Sequence, residues 1–338
     1  MKSPMPEIKG NLNLRRRLCD DIANGTSAHA YILAGAHGSG KHSIAMQYAA
    51  AVACESKTDP SEPLPCLRCP SCRKIIEGKS PDIITIKKDG LSVKIEQIRT
   101  LLTDVRVVPN DLEDKFYIIE NAHTMTEEAQ NAFLLTLEEP PAFVHFFLLC
   151  ESAEPLLETV RSRAPVLRTE PIPNDEVRQY LVRENADAAA LSRTDPAALS
   201  DILAIAGGSI GRALELISEK EREPHVFRRN TAERLVNYAL HNQTVALIEL
   251  INELPTKQDE LLPILSTAST VLRDLIALKQ SEDAPLCFFT DRATATEKAY
   301  ASSLSAMMAL YGILTQTSDN LSRNANIKLT LTAMIAKI

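Results

Sequence analysis

Four short runs of mostly apolar residues punctuate the first half of the chain: Ala30–Ala34, Asp82–Ile86, a run from Lys115 that turns polar by His123, and Val144–Cys150. Runs of this length without strict polar alternation read as buried strands of a parallel sheet. Between them apolar residues recur at helical spacing. Leu12, Leu14, Leu18 and Ile22 form a stripe that stops at Asn24-Gly25, a helix-ending pair, with Arg15, Arg16 and Arg17 on an expected solvated face. Leu101, Leu102 and Val105 point inward from a helix that starts near Ser92. Ala129, Phe133, Leu134 and Leu137 do the same from a helix between Thr126 and Glu139, stopped by Pro140-Pro141. Pro165 to Pro173 reads as an extended connection, and 174–216 as a small helical bundle. From about Glu219 only helical stripes remain, such as Leu262, Leu265, Leu272 and Leu275, with breaks expected around Pro255, Pro263 and Pro285. The pattern predicts an α/β core followed by an all-α region.

The first strand runs straight into Gly35-Ala36-His37-Gly38-Ser39-Gly40-Lys41-His42-Ser43, which opens an Ala-rich helix. Strand, glycine loop, Lys and helix make a phosphate-binding loop: the glycines let backbone N–H groups close around phosphates, and Lys41 neutralises them. One position departs from the pattern. Ser or Thr ordinarily follows the Lys and helps to hold Mg²⁺, and here His42 stands there. Ser43 is turned away by about 100° around the helix and does not substitute. The strand from Lys115 ends in Glu120-Asn121, where related ATPases carry Asp-Glu for metal support and water activation. Glu120 reaches one methylene further, and the Asn121 amide accepts no proton. Losing a general base costs about 10²- to 10⁴-fold in rate. ATP or ADP is therefore expected to bind, if at all, without being hydrolysed.

Cys54, Cys66, Cys69 and Cys72 follow a C-x11-C-x2-C-x2-C spacing, with Pro60, Pro63 and Pro65 breaking the segment between the first two. Four thiolates converging from a helix end and a turn suit tetrahedral Zn²⁺, and a closed site of that kind is structural. Cys150 carries no basic neighbour in sequence and reads as a core residue.

A chain of 338 residues has room for two or three domains, and a net charge of −7 excludes a uniformly basic nucleic-acid surface. Met1 to Gly10 has no apolar core for export, and no membrane-spanning run is evident. A cytoplasmic protein without a membrane partner is expected.

The His29-Ala30-Tyr31 lead, the glycine loop, the Cys cluster and Leu137-Glu138-Glu139-Pro140-Pro141 together resemble bacterial DNA polymerase III clamp-loader subunits of the AAA+ class. The resemblance runs over essentially the whole chain and is most specific between His29 and Arg163. It implies a AAA+ core over 1–165 with a zinc module at 54–72, a helical lid over 166–218, and a helical collar over 219–338 that joins five subunits in a ring. It also implies the partners: the other subunits of that ring, the sliding clamp, and primed DNA met through the assembly, with Lys94, Arg99 and Arg106 toward the DNA. Ser162-Arg163 matches the family's Ser-Arg-Cys element, with Ala164 for Cys, so Arg163 is the implied arginine finger for a neighbour's ATP. Arg212, after Gly207-Gly208-Ser209, matches the lid arginine that senses phosphates, or is retained structure in an ordinary capped helix. The silent, delta-prime kind of subunit is expected, not catalytic alone. A gamma/tau-type motor is the alternative, but it calls for the Thr and Asp-Glu that are missing. An independent AAA+ ATPase such as a helicase loader explains neither the Cys cluster nor Leu-Glu-Glu-Pro-Pro.

Overall fold

The computed structural model describes residues 4–59, 62–289, 291–323 and 325–338; Pro60 lies outside them. Two compact units divide the chain: Met1–Val177 with Gly208–Arg212, and Arg178–Gly207 with Ala213–Ile338.

The first unit is built from α1 (Leu12–Asn24), β1 (Ala30–Ala34), α2 (Lys41–Val52), α3 (Pro70–Ile76), β2 (Ile83–Ile86) and α4 (Ile95–Asp104). It continues through β3 (Lys115–Ile119), α5 (Glu127–Glu138), β4 (Val144–Cys150), α6 (Glu158–Arg161) and β5 (Val166–Arg168). The strands form one parallel sheet in the order β2-β3-β4-β1-β5. Side chains alternate between its faces. Tyr31, Leu33, Phe116, Ile118, Phe147 and Leu149 pack with Leu18, Ile44 and Tyr48 from α1 and α2. Ile32, Tyr117, Ile119, Phe146 and Leu148 pack with Ile98, Leu101, Phe133 and Leu137 from α4 and α5. Both faces are covered, which is why the strands lack polar alternation.

Register decides where the site forms. Ala34 lies opposite Cys150 and Ile119 opposite Leu148, so the ends of β1, β3 and β4 share one edge of the sheet. Crevices at the carboxyl ends of parallel strands, next to a change of strand order, are the usual ligand sites of such sheets.

One local expectation changes, and one buried charge stands out. Arg15 is not on a solvated face: its Nη1 donates to the carbonyls of Pro4 and Met5, both at 3.0 Å, tying the N-terminal segment to α1. Arg16 and Arg17 are exposed. Lys115 is buried inside β3, where its ammonium pairs with Asp104 at 2.9 Å and donates to the Asp104 carbonyl at 3.2 Å.

After α7 (Asn174–Glu184), which crosses the boundary, come α8 (Ala186–Thr194), α9 (Pro196–Ala206), α10 (Ile210–Ile217), α11 (Glu219–Leu240), α12 (Thr244–Glu253), α13 (Gln258–Gln280), α14 (Arg292–Ala301), α15 (Leu304–Ser322) and α16 (Ile327–Ile335). The central helix of the second unit is α13, packed against α11, α14 and α15. By length and composition it is the one helix among the described residues that could cross a membrane. Its buried Leu265, Ala268, Leu272 and Leu275 account for that apolarity as core packing. Pro255 and Pro285 fall between helices as expected, but Pro263 lies inside α13. It sits in the second turn, where the missing N–H gives up a single bond near the helix start, and burial of Leu261, Ile264 and Leu265 around it outweighs that loss.

Candidate functional site

A cleft of about 330 Å³ opens at the shared strand edge, lined by 37–43, Glu120, Asn121, Leu149, Cys150, Glu151 and Gly211. It brings Gly38, Ser39, Gly40, Lys41, His42, Ser43, Glu120 and Asn121 together. Gly40 precedes α2 at φ 85°, with no atom within 4 Å of where a Cβ would stand and no side chain to cap the helix. An uncapped helix start with open space before it is an anion cradle. Lys41 completes it. Its Nζ donates to the carbonyls of Gly35 and Ala36, both at 2.7 Å, and to Ser39 Oγ at 3.4 Å. Burial lowers the Lys41 pKa, opposed chiefly by the charge of Glu151. The residues fit phosphate.

They do not fit Mg²⁺. His42 Nδ1 lies 3.0 Å from Glu120 Oε1, so the side chain in the hydroxyl position sits against the carboxylate in the metal-supporting position. Mg²⁺ takes oxygen ligands in near-octahedral geometry, and here one of the two is nitrogen while the other is engaged by it. The pair follows from the sheet. The Glu120 N–H donates to Ile86 O at 2.8 Å, extending the β2–β3 ladder one residue and setting the carboxylate beside the first turn of α2.

Sequence reasoning missed two things here. Glu151 lines the cleft; the available signal was its place directly after the strand beside β1. Its N–H donates to His123 Nδ1 at 3.4 Å. Cys150 is buried, its pKa pushed up to about 11 by burial against the pull of Lys41 and Arg168. The other omission is how α10 meets the loop. Ser209 Oγ donates to His37 O at 2.8 Å and accepts from the Arg212 N–H at 3.2 Å, while the Gly211 N–H donates to Gly38 O at 3.0 Å. Gly38 has φ +70°, and a Cβ there would stand 2.4 Å from the Arg212 nitrogen. Gly38→Ala should destabilise this unit by about 1–3 kcal/mol, read from denaturant unfolding; an unchanged midpoint would contradict the tight seat of α10 on the loop.

The sulfurs of Cys54, Cys66, Cys69 and Cys72 all lie within 4.8 Å of one another. Cys69 caps α3, with Pro70 in the first turn, and its Sγ accepts from the Cys72 N–H at 3.5 Å. Cys66 Sγ accepts from the Cys69 N–H at the same distance. Such N–H···S turns aim thiolates at one point, and four sulfurs so placed can hold a divalent metal. Burial opposes ionisation of Cys66, yet the backbone N–H groups of Arg68 and Cys69 and neighbouring thiols bring it down to about 6. Cys54 and Cys72 are pushed up, chiefly by burial.

Arg163 does not reach this cleft. At the end of α6 its Nη1 donates to Thr159 O at 2.9 Å and Ser162 Oγ at 3.3 Å, and its Nη2 pairs with Glu138. Glu138 belongs to the Leu-Glu-Glu-Pro-Pro element that ends α5, so two expected family motifs are in contact.

Residues 10–173 match the family model described as "DNA polymerase III, delta subunit". The chain is 31% identical over 217 residues to DNA polymerase III subunit tau of Salmonella typhimurium, covering 63% of this chain and 32% of that protein. It is 31% identical over 169 residues to subunit delta' of Bacillus subtilis, covering 50% of each. The matches are to subunits of bacterial DNA polymerase III. Subunit gamma of Buchnera aphidicola (subsp. Schizaphis graminum) is 30% identical over 225 residues, covering 66% of this chain and 59% of that protein. The chain thus spans between 32% and 59% of the length of these three relatives. A solved DNA polymerase III gamma-subunit-related protein of Thermotoga maritima aligns at TM-score 0.45 and 17% identity, covering 95% of this chain and 97% of that one. The chain has an α/β core with a five-stranded parallel sheet and a helical C-terminal region.

Proposed function

We propose that this chain is a delta-prime-type subunit of a DNA polymerase III clamp loader, one that does not hydrolyse ATP and instead completes a neighbour's site. The observation that carries the reading is the 3.0 Å His42–Glu120 pair, which engages both metal-handling positions with each other. Without Mg²⁺ or a general base at Asn121, the cleft retains phosphate binding and loses the means of cleavage. Arg163 is the finger offered in trans. Cys54, Cys66, Cys69 and Cys72 hold a structural Zn²⁺ that staples the segment before α3. Residues 166–218 act as a lid on the core 1–165, and 219–338 as a collar in a five-subunit ring. An exposed stripe of Leu304, Met308 and Tyr311 at helical spacing on α15 supports that assembly role. Through the assembly the chain serves the sliding clamp and primed DNA in the cytoplasm, with exposed Lys94, Arg99 and Arg106 along and beside α4 toward the DNA.

The gamma and tau relatives favour a second reading, a hydrolysing motor. ATP turnover separates the two. The purified chain alone should show no turnover above background, and should stimulate turnover when mixed with motor subunits on primed DNA. Turnover by the chain alone, abolished by Lys41→Ala, would put the motor first.

A further inference from the structure

We infer that the cleft takes a nucleoside diphosphate without magnesium, with the His42 ring, anchored by Glu120, standing in the place of the cation. The inference rests on the nucleotide reading above and deepens it. Nδ1 faces Glu120 Oε1 at 3.0 Å, an ion pair when the ring is protonated. The protonated ring then has Nε2–H as its second donor, free to face a phosphate oxygen, on a side chain that lines the cleft between Lys41 and Ser43. The ring is thereby oriented by its partner as a metal-bound imidazole would be by a carboxylate behind it, but with the polyphosphate and not a metal in front.

Two charges argue for metal-free binding. A hydrated Mg²⁺ arriving with the nucleotide finds no hydroxyl at position 42 and meets the His42 ring 3.0 Å from one oxygen of the Glu120 carboxylate. The anion itself keeps its partners: Lys41, whose Nζ rests 2.7 Å from two loop carbonyls, and the uncapped start of α2 behind Gly40.

Glu151 makes the cleft more selective against highly charged phosphate chains. It lines the same cleft directly after β4, and its carboxylate acts on Lys41. Its negative charge in the cleft disfavours the additional charge of a third phosphate. Magnesium would ordinarily mask that repulsion for a triphosphate, and this cleft does not seat it.

The test is a fluorescence titration of the purified full chain with mant-ADP, in EDTA and in excess MgCl₂, followed by displacement with unlabelled ADP or ATP. Binding should be at least as tight in EDTA as in magnesium, and ADP should displace the probe at lower concentration than ATP. Lys41→Ala should weaken binding about ten- to hundredfold in both buffers. His42→Thr, which restores a hydroxyl and frees Glu120, should turn the preference toward magnesium. Tighter wild-type binding in magnesium, or a preference for ATP, overturns the inference and leaves the nucleotide reading standing. Absence of any Lys41-dependent binding in either buffer overturns both. The wild-type ratio decides even if His42→Thr does not fold.

Discussion

Arg163→Ala is expected to lower ATP turnover at the neighbouring site by about 10³- to 10⁵-fold while leaving assembly intact. The measurement uses a reconstituted ring in which the other motor subunits carry a phosphate-loop Lys→Ala change, so that only the site beside this chain turns over. A planar guanidinium can make two hydrogen bonds to transferring phosphate oxygens, so Arg163→Lys should restore little of the loss. At rest the same group is occupied within its own chain, on Thr159, Ser162 and Glu138. Magnitudes decide whether this matters. An exposed ion pair is worth about 0–1 kcal/mol, whereas a 10³- to 10⁵-fold effect corresponds to about 4–7 kcal/mol in the transition state. The Glu138 contact therefore parks the guanidinium without withholding it, and Glu138→Gln should change turnover by less than about fivefold. Undiminished turnover with Arg163→Ala would remove the finger from the proposal.

Features that depend on contiguous residues were legible before the fold. Gly35 through Lys41 announce a phosphate loop because strand, turn and helix start must follow one another directly. Val144–Cys150 could be read as a strand because a covered parallel sheet tolerates unbroken apolar sequence. The contents of the cleft were less so. That His42 and Glu120 each depart from pattern was visible, but that the two departures meet depends on the β2-β3-β4-β1-β5 order and the extension of the ladder to Glu120. Glu151 stands where relatives carry a phosphate-sensing hydroxyl or amide, but a carboxylate does not match that element, and its place in the cleft follows from the Ala34–Cys150 register. Likewise Arg15 looked like one of three equivalent surface charges until the N-terminal carbonyls came within 3.0 Å of it. Pro263 failed as a helix breaker because a local rule met an early helix position inside a packed core.

Removal of the proposed zinc should have the largest structural effect. Freshly purified chain should carry about one zinc, and stripping it with a strong chelator should lower the melting temperature and open the segment 54–72 to proteolysis. The four thiols explain why. Neighbouring N–H groups bring the Cys66 thiol to about 6 against the effect of burial, so one thiolate forms readily. Burial holds Cys54 and Cys72 in the neutral form, with nearby thiols adding to the cost of a second charge at Cys72. A divalent cation at the centre reverses that cost, since each further thiolate is then drawn to it. The loss should not stay local. Cys72 is fully buried, its thiol donates to Ala50 O at 3.4 Å, and all four cysteines share the core that contains Tyr48 and Ile44 of α2. Because α2 begins with Lys41 and His42, loosening its far end should also weaken mant-ADP binding. Cys72→Ala should reproduce the stripped state, at a cost of several kcal/mol. Cys287→Ser, outside the cluster, should retain the metal. Full zinc content in Cys72→Ala, or metal-free native protein with an unchanged melting curve, would mean that packing alone holds the cysteines together.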